Sequence, residues 1–233
     1  MNTQIGRFIT FEGGEGVGKS TNIQFVAQWL AQQGISALVT REPGGTPIAE
    51  RIRNDLLKAH HSEKMADLTE LLLMFAARAQ HLKAVIIPAL ASGQWVLCDR
   101  FTDSTIAYQG YGRGVSLDQI DQLRQLVQGD LNPDCTLLLD APFKMGMSRA
   151  AQRASDLGEE VDRFETEDDG FFNLVRQGFL TLAKAESRIH IIDASQHLSA
   201  VQGDIISVLT PMLGNGVSTK HFASSTTKQD DDV

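Results

Sequence analysis

A glycine-rich segment near the N-terminus has the residue types that hold a nucleoside triphosphate. Residues 13–20 match the pattern G-x-x-x-x-G-K-[ST]. Glycines let backbone N–H groups turn onto phosphate oxygens, and a following helix adds its positive N-terminal end. Lys19 would reach the β- and γ-phosphates, and the Ser20 hydroxyl would take one Mg²⁺ position. The predicted ATP-binding residues are Gly13, Gly14, Glu15, Gly16, Val17, Gly18, Lys19, Ser20 and Thr21.

Two further polar segments follow predicted strands. Residues 41–46 come after the second strand, and Asp99 and Arg100 close the third. Ligands of parallel sheets bind at the carboxyl ends of strands, where an arginine can clamp a phosphate with two hydrogen bonds. The chain has no N-K-x-D segment, which a guanine-binding switch protein would need. The sequence therefore favours an enzyme with a second, anionic substrate.

The elements that must position these residues alternate along the chain. Short apolar runs predict strands at 7–11, 35–40, 95–98, 135–139 and 189–192. Helical spacing predicts helices at 20–33, 46–57, 68–90, 117–127, 145–154, 171–185 and 200–213. Apolar strands between helices predict a parallel sheet covered on both faces. We expect one α/β domain over residues 1–213, with three layers and a five-stranded sheet. Residues 214–233 lack apolar periodicity, and we expect a disordered tail there.

Composition restricts the class of partner. The 233 residues carry a net charge of −8, and −7 remains without the last twenty residues, which hold two Lys and three Asp. Such an acidic body disfavours nucleic acids and anionic membranes. No run reaches the roughly 18 apolar residues of a membrane span, and the N-terminus lacks the features of a signal peptide. Cys98 and Cys135 form no disulfide framework and no metal-ligand spacing, so a reducing cytoplasm fits the chain.

The segment after the third strand resembles a known family. Residues 99–110, D-R-F-T-D-S-T-I-A-Y-Q-G, are similar to the thymidylate kinase signature D-R-[YF]-x-x-S-x-x-A-Y-Q-G. Residues 40–46 resemble the T-R-E-P-G-G segment of its bacterial members, residues 74–78 its base-binding helix and residues 162–165 its mobile lid. The similarity runs from about Phe8 to Leu213 in the family's order. It implies a P-loop nucleoside-monophosphate kinase fold, usually a homodimer, which uses ATP and Mg²⁺ to phosphorylate thymidine monophosphate to the diphosphate.

The resemblance also implies which residues act at the transferred phosphoryl group. Gly16 stands where eukaryotic members carry an arginine, and bacterial members supply arginines from the lid instead, here expected around residues 143–168. Arg149 and Arg153 are four residues apart and share a helix face, and Arg163 is a third candidate. Guanidinium groups would stabilise the charge on the transferred oxygens. The residues alone also fit a solvated helix face for Arg149 and Arg153.

The family's acceptor site implies further roles. The carboxylate of Glu15 would accept a hydrogen bond from the 3′-hydroxyl of the deoxyribose, and Asp99 would hold Mg²⁺ directly or through water. Arg100 would clamp the acceptor phosphate, with Arg53 as a second contact, and Arg78 would donate to a thymine carbonyl. The remaining predicted substrate contacts are Glu42, Pro43, Ser104, Tyr108 and Gln109, and the spacing of the last three allows one helical face.

One position departs from the family's pattern. The family often places an aromatic ring four residues before the base-contacting arginine, and this chain has Met74 there with Phe75 beside it. Met74 could pack on thymine through its polarizable sulfur. Phe75 could instead take the place of the ring, or it could belong to the core. Asp140, at the end of the fourth strand, fits a second carboxylate beside Mg²⁺ or a turn former. Residues 193–195 resemble the adenine-side loop.

Two other functions remain open at this stage. The chain could be a related kinase that phosphorylates another nucleoside or monophosphate, which base-selectivity assays would distinguish. It could also be a nucleotide-binding regulator that has lost phosphoryl transfer, and such a protein would lack acceptor-site arginines. Because Arg78, Arg100, Arg149 and Arg153 are all present, we rank the regulator last.

Overall fold

The strands form one parallel sheet, as the sequence predicts. In the computed structural model, which describes residues 6–59, 61–149 and 168–213, the strands are β1 (Phe8–Glu12), β2 (Ala37–Arg41), β3 (Trp95–Asp99), β4 (Cys135–Asp140) and β5 (Ile189–Asp193). Their order is β2-β3-β1-β4-β5, and every neighbouring pair is parallel. The predicted five-stranded parallel sheet is therefore confirmed, and each strand boundary lies within two residues of its predicted place.

Helices cover the sheet, and several of them change their winding. The α-helices are α1 (Lys19–Gln32), α2 (Pro47–Arg51), α3 (Asp67–His81), α4 (Ile87–Ala91), α5 (Thr102–Thr105), α6 (Leu117–Gln128), α7 (143–149), α8 (Asp169–Ala185) and α9 (Leu198–Leu209). Segments of π-helix extend α2 over Ile52–Lys58, join α3 to α4 over Leu82–Ile86 and extend α5 over Ile106–Gly112. A 3₁₀ turn, Thr210–Leu213, ends α9. The helix that begins at Thr102 is absent from the helices predicted above.

The two faces of the sheet hold separate apolar clusters. Side chains alternate between the faces along a strand, so Ile9 and Phe11 of β1 pack with α1 and α9, while Phe8 packs on the other side with Leu82 and Ile86. On that second side α8 contributes Phe172 and Val175. This arrangement confirms the three-layer α/β fold.

The strand order determines where a ligand can bind. Within the sheet, β3 and β2 lie on one flank of β1, whereas β4 and β5 lie on the other flank. In such sheets a crevice opens at the carboxyl ends of the strands where the order reverses. Residues 13–20 follow β1, Arg100 follows β3 and Glu42 follows β2, so these three segments meet at one edge.

The longest helical segment packs one face against the rest of the fold. By length and composition, Asp67–Ala91 would suffice to cross a membrane, but core helices of soluble proteins pass the same test. Glu70, Arg78 and His81 are all buried within the segment and pair with side chains of other elements. Those polar contacts tie the helix to the protein interior.

Part of the expected lid and the expected tail lie outside the described residues. Helix α7 covers the start of the predicted lid. Arg153, Arg163 and the 162–165 segment fall outside the described ranges, and so do residues 214–233.

Candidate active site

A pocket of about 510 Å³ opens at the carboxyl edge of the sheet. All of residues 15–21 line it. The predicted substrate residues that also line it are Glu42, Pro43, Arg53, Met74, Arg78, Arg100, Ser104, Tyr108 and Gln109. Segments far apart in the chain therefore meet in one cavity, and Phe75 is the one predicted substrate residue that does not line it.

The loop after β1 closes tightly around Lys19. Gly13 has φ 131°, and a Cβ there would collide with the carbonyl oxygen of Leu139, so only glycine fits. The buried Lys19 Nζ donates to the carbonyl oxygens of Gly14 at 2.7 Å and Gly13 at 3.3 Å. Burial and the charge of Arg100 lower the pKa of this ammonium. A bound triphosphate would favour its charged form.

Arg100 stands at the centre of the acceptor side. Its backbone lies in the left-handed region, with φ 67°, which costs energy for a residue with a side chain. Its Nη1 donates to the Gly13 carbonyl oxygen at 2.9 Å, and its Nη2 donates to Glu15 Oε1 at 2.5 Å and to the Tyr108 hydroxyl at 3.1 Å. Burial opposes ionisation of Glu15, but the charges of Arg100 and Lys19 outweigh it and lower the pKa of that carboxyl to about 2.

Glu12 supports this turn from below, a role that the sequence analysis missed. The fully buried carboxyl at the end of β1 accepts from the backbone N–H of Phe101 at 2.7 Å and from the Ser104 hydroxyl at 2.5 Å. Burial and the nearby Asp103 carboxylate raise the pKa of Glu12 to about 8. Its position directly before the glycine-rich loop is the only signal that the sequence offers.

Arg78 also lines the pocket, and one of its guanidinium nitrogens, Nη1, has no hydrogen-bond partner among the described residues. The guanidinium is buried, and it donates through Nε to Glu42 Oε2 at 2.7 Å and through Nη2 to Thr105 Oγ1 at 3.0 Å. Its Nη1 is buried without a hydrogen-bond partner among the described residues. The other Glu42 oxygen contacts His81 Nδ1 at 3.0 Å, and His81 Nε2 contacts Thr40 Oγ1 at 2.7 Å. Glu42 therefore orients Arg78, a contact that the sequence did not indicate.

Gln109 points to a different partner from Ser104 and Tyr108. The last two contact Arg100, whereas Gln109 Nε2 donates to the buried Glu70 Oε1 at 2.8 Å. The three side chains all line one pocket, although their hydrogen-bond partners differ. Their backbone changes from α-helix to π-helix at Ile106, a winding that is common at functional sites.

The structure separates Met74 from Phe75. Met74 lines the pocket. Phe75 is 2% exposed and packs with Leu71 and Ile120, and the Arg78 guanidinium lies 4.9 Å from the centre of its ring. Of the alternatives for Phe75, the structure fits the core position, where its ring packs beside Arg78, whereas Met74 lines the pocket.

The side chains of Ser20 and Asp99 fit a magnesium ion. Asp99 Oδ1 is buried and has no hydrogen-bond partner in the described part of the chain, and both residues line the pocket. Carboxylate and hydroxyl oxygens suit Mg²⁺, which keeps several waters and binds substrate phosphates rather than a full protein cage.

Asp140 does not serve as a second carboxylate for the metal here. Both of its oxygens accept from Arg176, at 2.7 Å each. This bidentate ion pair ties the end of β4 to α8 and occupies the side chain. The alternative of a local structural role fits Asp140 better.

Helix α7 brings Arg149 to the donor side. Gly146 packs on the loop so closely that a Cβ there would collide with the carbonyl oxygen of Glu15. Arg149 Nη1 donates to the carbonyl oxygen of Ala194 at 2.9 Å, within the predicted adenine-side loop. Arg149 is exposed, and this hydrogen bond connects α7 to the loop after β5.

Known proteins share this arrangement across most of the chain. A model of the thymidylate kinase family matches residues 11–205. The thymidylate kinase of Ectopseudomonas mendocina is 55% identical over 209 residues, which cover 89% of this chain and 97% of that protein. The thymidylate kinase of Chromohalobacter salexigens is also 55% identical, over 90% of this chain and 98% of its own.

A solved structure agrees with these sequence matches. The crystal structure of thymidylate kinase from Ehrlichia chaffeensis superposes with a TM-score of 0.70 and 36% identity, over 88% of this chain and 99% of that one. Sequence and fold thus agree from the glycine-rich loop to the last helix, and we conclude that the chain is a kinase of the thymidylate kinase family.

Proposed function

We propose that this kinase transfers the γ-phosphoryl group of ATP directly and in line to thymidine monophosphate, giving thymidine diphosphate and ADP. One observation carries the choice of acceptor: Arg78 lines the pocket, and its Nη1 is a buried donor that lacks an acceptor among the described residues. A thymine carbonyl supplies that acceptor, because a buried donor left unpaired costs free energy.

The donor end uses the loop of residues 13–21. Lys19 provides a fixed positive charge for the β- and γ-phosphates, and the helix α1 begins at this same point. Ser20 and Asp99 would hold Mg²⁺, which neutralises phosphate charge and orients the phosphate oxygens when it is bound. The protein thereby fixes the phosphates before attack.

The acceptor end fixes the nucleotide at three points. Arg100 clamps its phosphate, with Arg53 as a second contact, and Glu15 accepts from the deoxyribose 3′-hydroxyl. Glu15 already pairs with Arg100, so it also carries the charge that holds this clamp in place. Arg78 and Gln109 contact the base, which Met74 covers.

The arginines of the predicted lid act on the transferred group. Arg149, Arg153 and Arg163 stabilise the negative charge that spreads over the phosphoryl oxygens in the transition state. The anchoring of Arg149 to Ala194 supports a position near the donor nucleotide.

Surface and composition support the remaining expectations. We propose a cytoplasmic homodimer that binds neither nucleic acid nor membrane. Two buried free cysteines and a net charge of −8 support this location and these partners. Leu68 and Leu72, four residues apart on α3, are about half exposed and are candidates for the dimer contact. Light scattering on the purified protein tests the dimer.

A panel of monophosphates tests the reaction and its base selectivity. We expect a coupled ADP-release assay to give the highest kcat/KM with thymidine monophosphate. Deoxyuridine monophosphate should be weaker but detectable, since one methyl contact is worth roughly 1 kcal/mol. Deoxycytidine monophosphate should be very poor, because its amino group faces the Arg78 donor. The variant Arg78→Ala should narrow the gap between thymine and cytosine nucleotides. Equal use of both by the wild type would refute the assignment.

A further inference from the structure

The hydrogen bond between Gln109 and Glu70 decides which end of the Gln109 amide faces the pocket. Gln109 is 1% exposed, and its Nε2 donates to Glu70 Oε1 at 2.8 Å. An ionised carboxylate only accepts hydrogen bonds, whereas an amide has one donating end and one accepting end. Rotating the amide by 180° would bring its oxygen against the carboxylate. The carboxylate therefore keeps the amide oxygen, Oε1, available on the other side.

Glu70 is itself held in a charged environment. Its side chain is 2% exposed, and Arg113 Nε lies 3.5 Å from the same Oε1 atom that receives the Gln109 hydrogen bond. The Arg113 guanidinium in turn lies 4.6 Å from the centre of the Phe171 ring on α8. A guanidinium at this distance is a counter-charge for a buried carboxylate. Two donors, from Gln109 and Arg113, therefore approach the same Glu70 oxygen, and this oxygen serves as an acceptor in the structure.

The available amide oxygen distinguishes pyrimidines. Thymine and uracil carry an N3–H donor, whereas the N3 of cytosine is an acceptor. A pocket that offers Oε1 accepts from N3–H of thymine but meets a second acceptor in cytosine. If the amide could rotate, its NH₂ group would suit cytosine instead.

We infer that Glu70 is a positioning residue for base selectivity, which fixes the Gln109 amide with its oxygen toward the base and so excludes cytosine nucleotides. This inference rests on the proposed contact between Gln109 and the base. Glu70 acts only through Gln109 and does not itself line the pocket.

The test compares kcat/KM for thymidine, deoxyuridine and deoxycytidine monophosphates in wild type and Glu70→Gln. Glutamine at this position accepts or donates, so it no longer dictates the amide orientation. The ratio of thymine to cytosine use should fall about tenfold, the scale of one mismatched buried hydrogen bond. The ratio of thymine to uracil use should not change, because both bases carry N3–H. An equal loss for all three nucleotides overturns the inference.

Two controls separate this inference from the proposed function. Asp67→Asn removes a charge from the same first turn of α3 at an exposed position and should leave every ratio unchanged. Gln109→Ala should lower the thymine-to-cytosine ratio. If Gln109→Ala leaves this ratio unchanged, both the proposed contact of Gln109 with the base and the inference about Glu70 are overturned. If Gln109→Ala lowers the ratio but Glu70→Gln does not, only the inference about Glu70 is overturned, and the proposed function stands.

A double variant keeps the test decisive if Glu70→Gln is unstable. Glu70→Gln combined with Gln109→Glu retains one amide and one carboxylate beside Arg113, so the hydrogen bond and the net charge of the pair persist. The new carboxylate at position 109 still accepts from N3–H. The thymine-to-cytosine ratio should stay within about threefold of the wild type, and a tenfold loss in this folded variant overturns the inference.

Discussion

At the level of single residues, the pocket is held by buried carboxyl groups that come from three distant parts of the chain. Glu12 accepts from the turn that carries Arg100, Glu42 accepts from Arg78, and Glu70 accepts from Gln109. Each carboxylate fixes a neighbouring group that can contact substrate. Preorganised donors and acceptors need not rearrange when the substrate binds, and this is a large source of catalytic power.

The charge of Lys19 is the residue-scale contribution at the donor end. We expect Lys19→Ala to fold normally and to lose roughly a hundredfold or more of kcat, because the transferring phosphates lose a fixed positive charge in a buried loop. Initial rates at saturating ATP, together with circular dichroism, measure both effects. A kcat close to that of the wild type would contradict the role of Lys19.

The buried Glu12 carboxyl predicts a pH dependence of stability. Its pKa is about 8 in the folded protein and 4.5 in a model peptide, so the folded state retains a proton that the unfolded state has released between these values. The contribution of Glu12 to the free energy of unfolding is therefore most favourable at low pH, and it decreases as the pH rises from about 4.5 to 8. We expect the melting temperature of Glu12→Gln, relative to wild type, to rise between pH 5 and pH 8.

Glu15 provides a matched control for this titration. Its pKa is about 2 when folded, so its carboxylate is ionised in both states above pH 5. The melting temperature of Glu15→Gln relative to wild type should therefore stay constant from pH 5 to pH 8. Parallel curves for wild type and Glu12→Gln over the same range would contradict the assignment of Glu12.

At the level of elements, an ion pair connects α5 to the strands β4 and β5. Arg188, just before β5, donates to both carboxylate oxygens of Asp103 at 2.7 Å and to Thr136 Oγ1 on β4 at 2.7 Å. The element that carries Arg100, Ser104 and Tyr108 into the pocket is thus attached to β4 and β5 through one arginine.

Removal of Arg188 should destabilise the fold. Arg188→Met leaves the buried Asp103 carboxylate without its counter-charge, which costs about 3–5 kcal/mol of unfolding free energy. Urea unfolding measures the loss. Arg124→Met, which breaks the exposed pair with Asp121, should cost less than about 1 kcal/mol. Similar losses for both variants would contradict the importance of burial.

The sequence predicted elements better than it predicted contacts. Buried strands are short apolar runs, so all five strands could be predicted. The glycine-rich loop could be predicted from its residue pattern. The π-helical segments were not predicted, because one extra residue per turn leaves no mark in a pattern based on 3.6 residues. Glu70 and Arg188 were missed because their partners lie 39 and 85 residues away in the chain.

At the level of the whole molecule, α7 and the loop after β5 bring the donor side together. Arg149 joins them through Ala194, and Gly146 lets α7 lie against the glycine-rich loop. Helix α7 therefore contacts both ends of the expected ATP site.

The prediction for Arg149 concerns the proposed role of this residue in the transition state. If Arg149 stabilises charge in the closed transition state, Arg149→Ala should lower kcat by about tenfold to a hundredfold with little change in KM for thymidine monophosphate. Steady-state kinetics with both substrates separates the two constants. A rise in KM at unchanged kcat would mean that Arg149 contributes only to binding.

The pairing of base-contacting side chains with buried carboxylates bears on how this enzyme can evolve. A codon change at Arg78 or Gln109 removes a hydrogen-bond donor from the buried Glu42 or Glu70, which keep His81 and Arg113 as neighbours. The loss of one such hydrogen bond costs about 0.5–1.5 kcal/mol. A change of base preference at these positions therefore also lowers the stability of the buried polar network, and a second change at the paired carboxylate would offset that loss. Base selectivity and stability are coupled in this pocket, because the side chains that contact the base also hold the buried carboxylates.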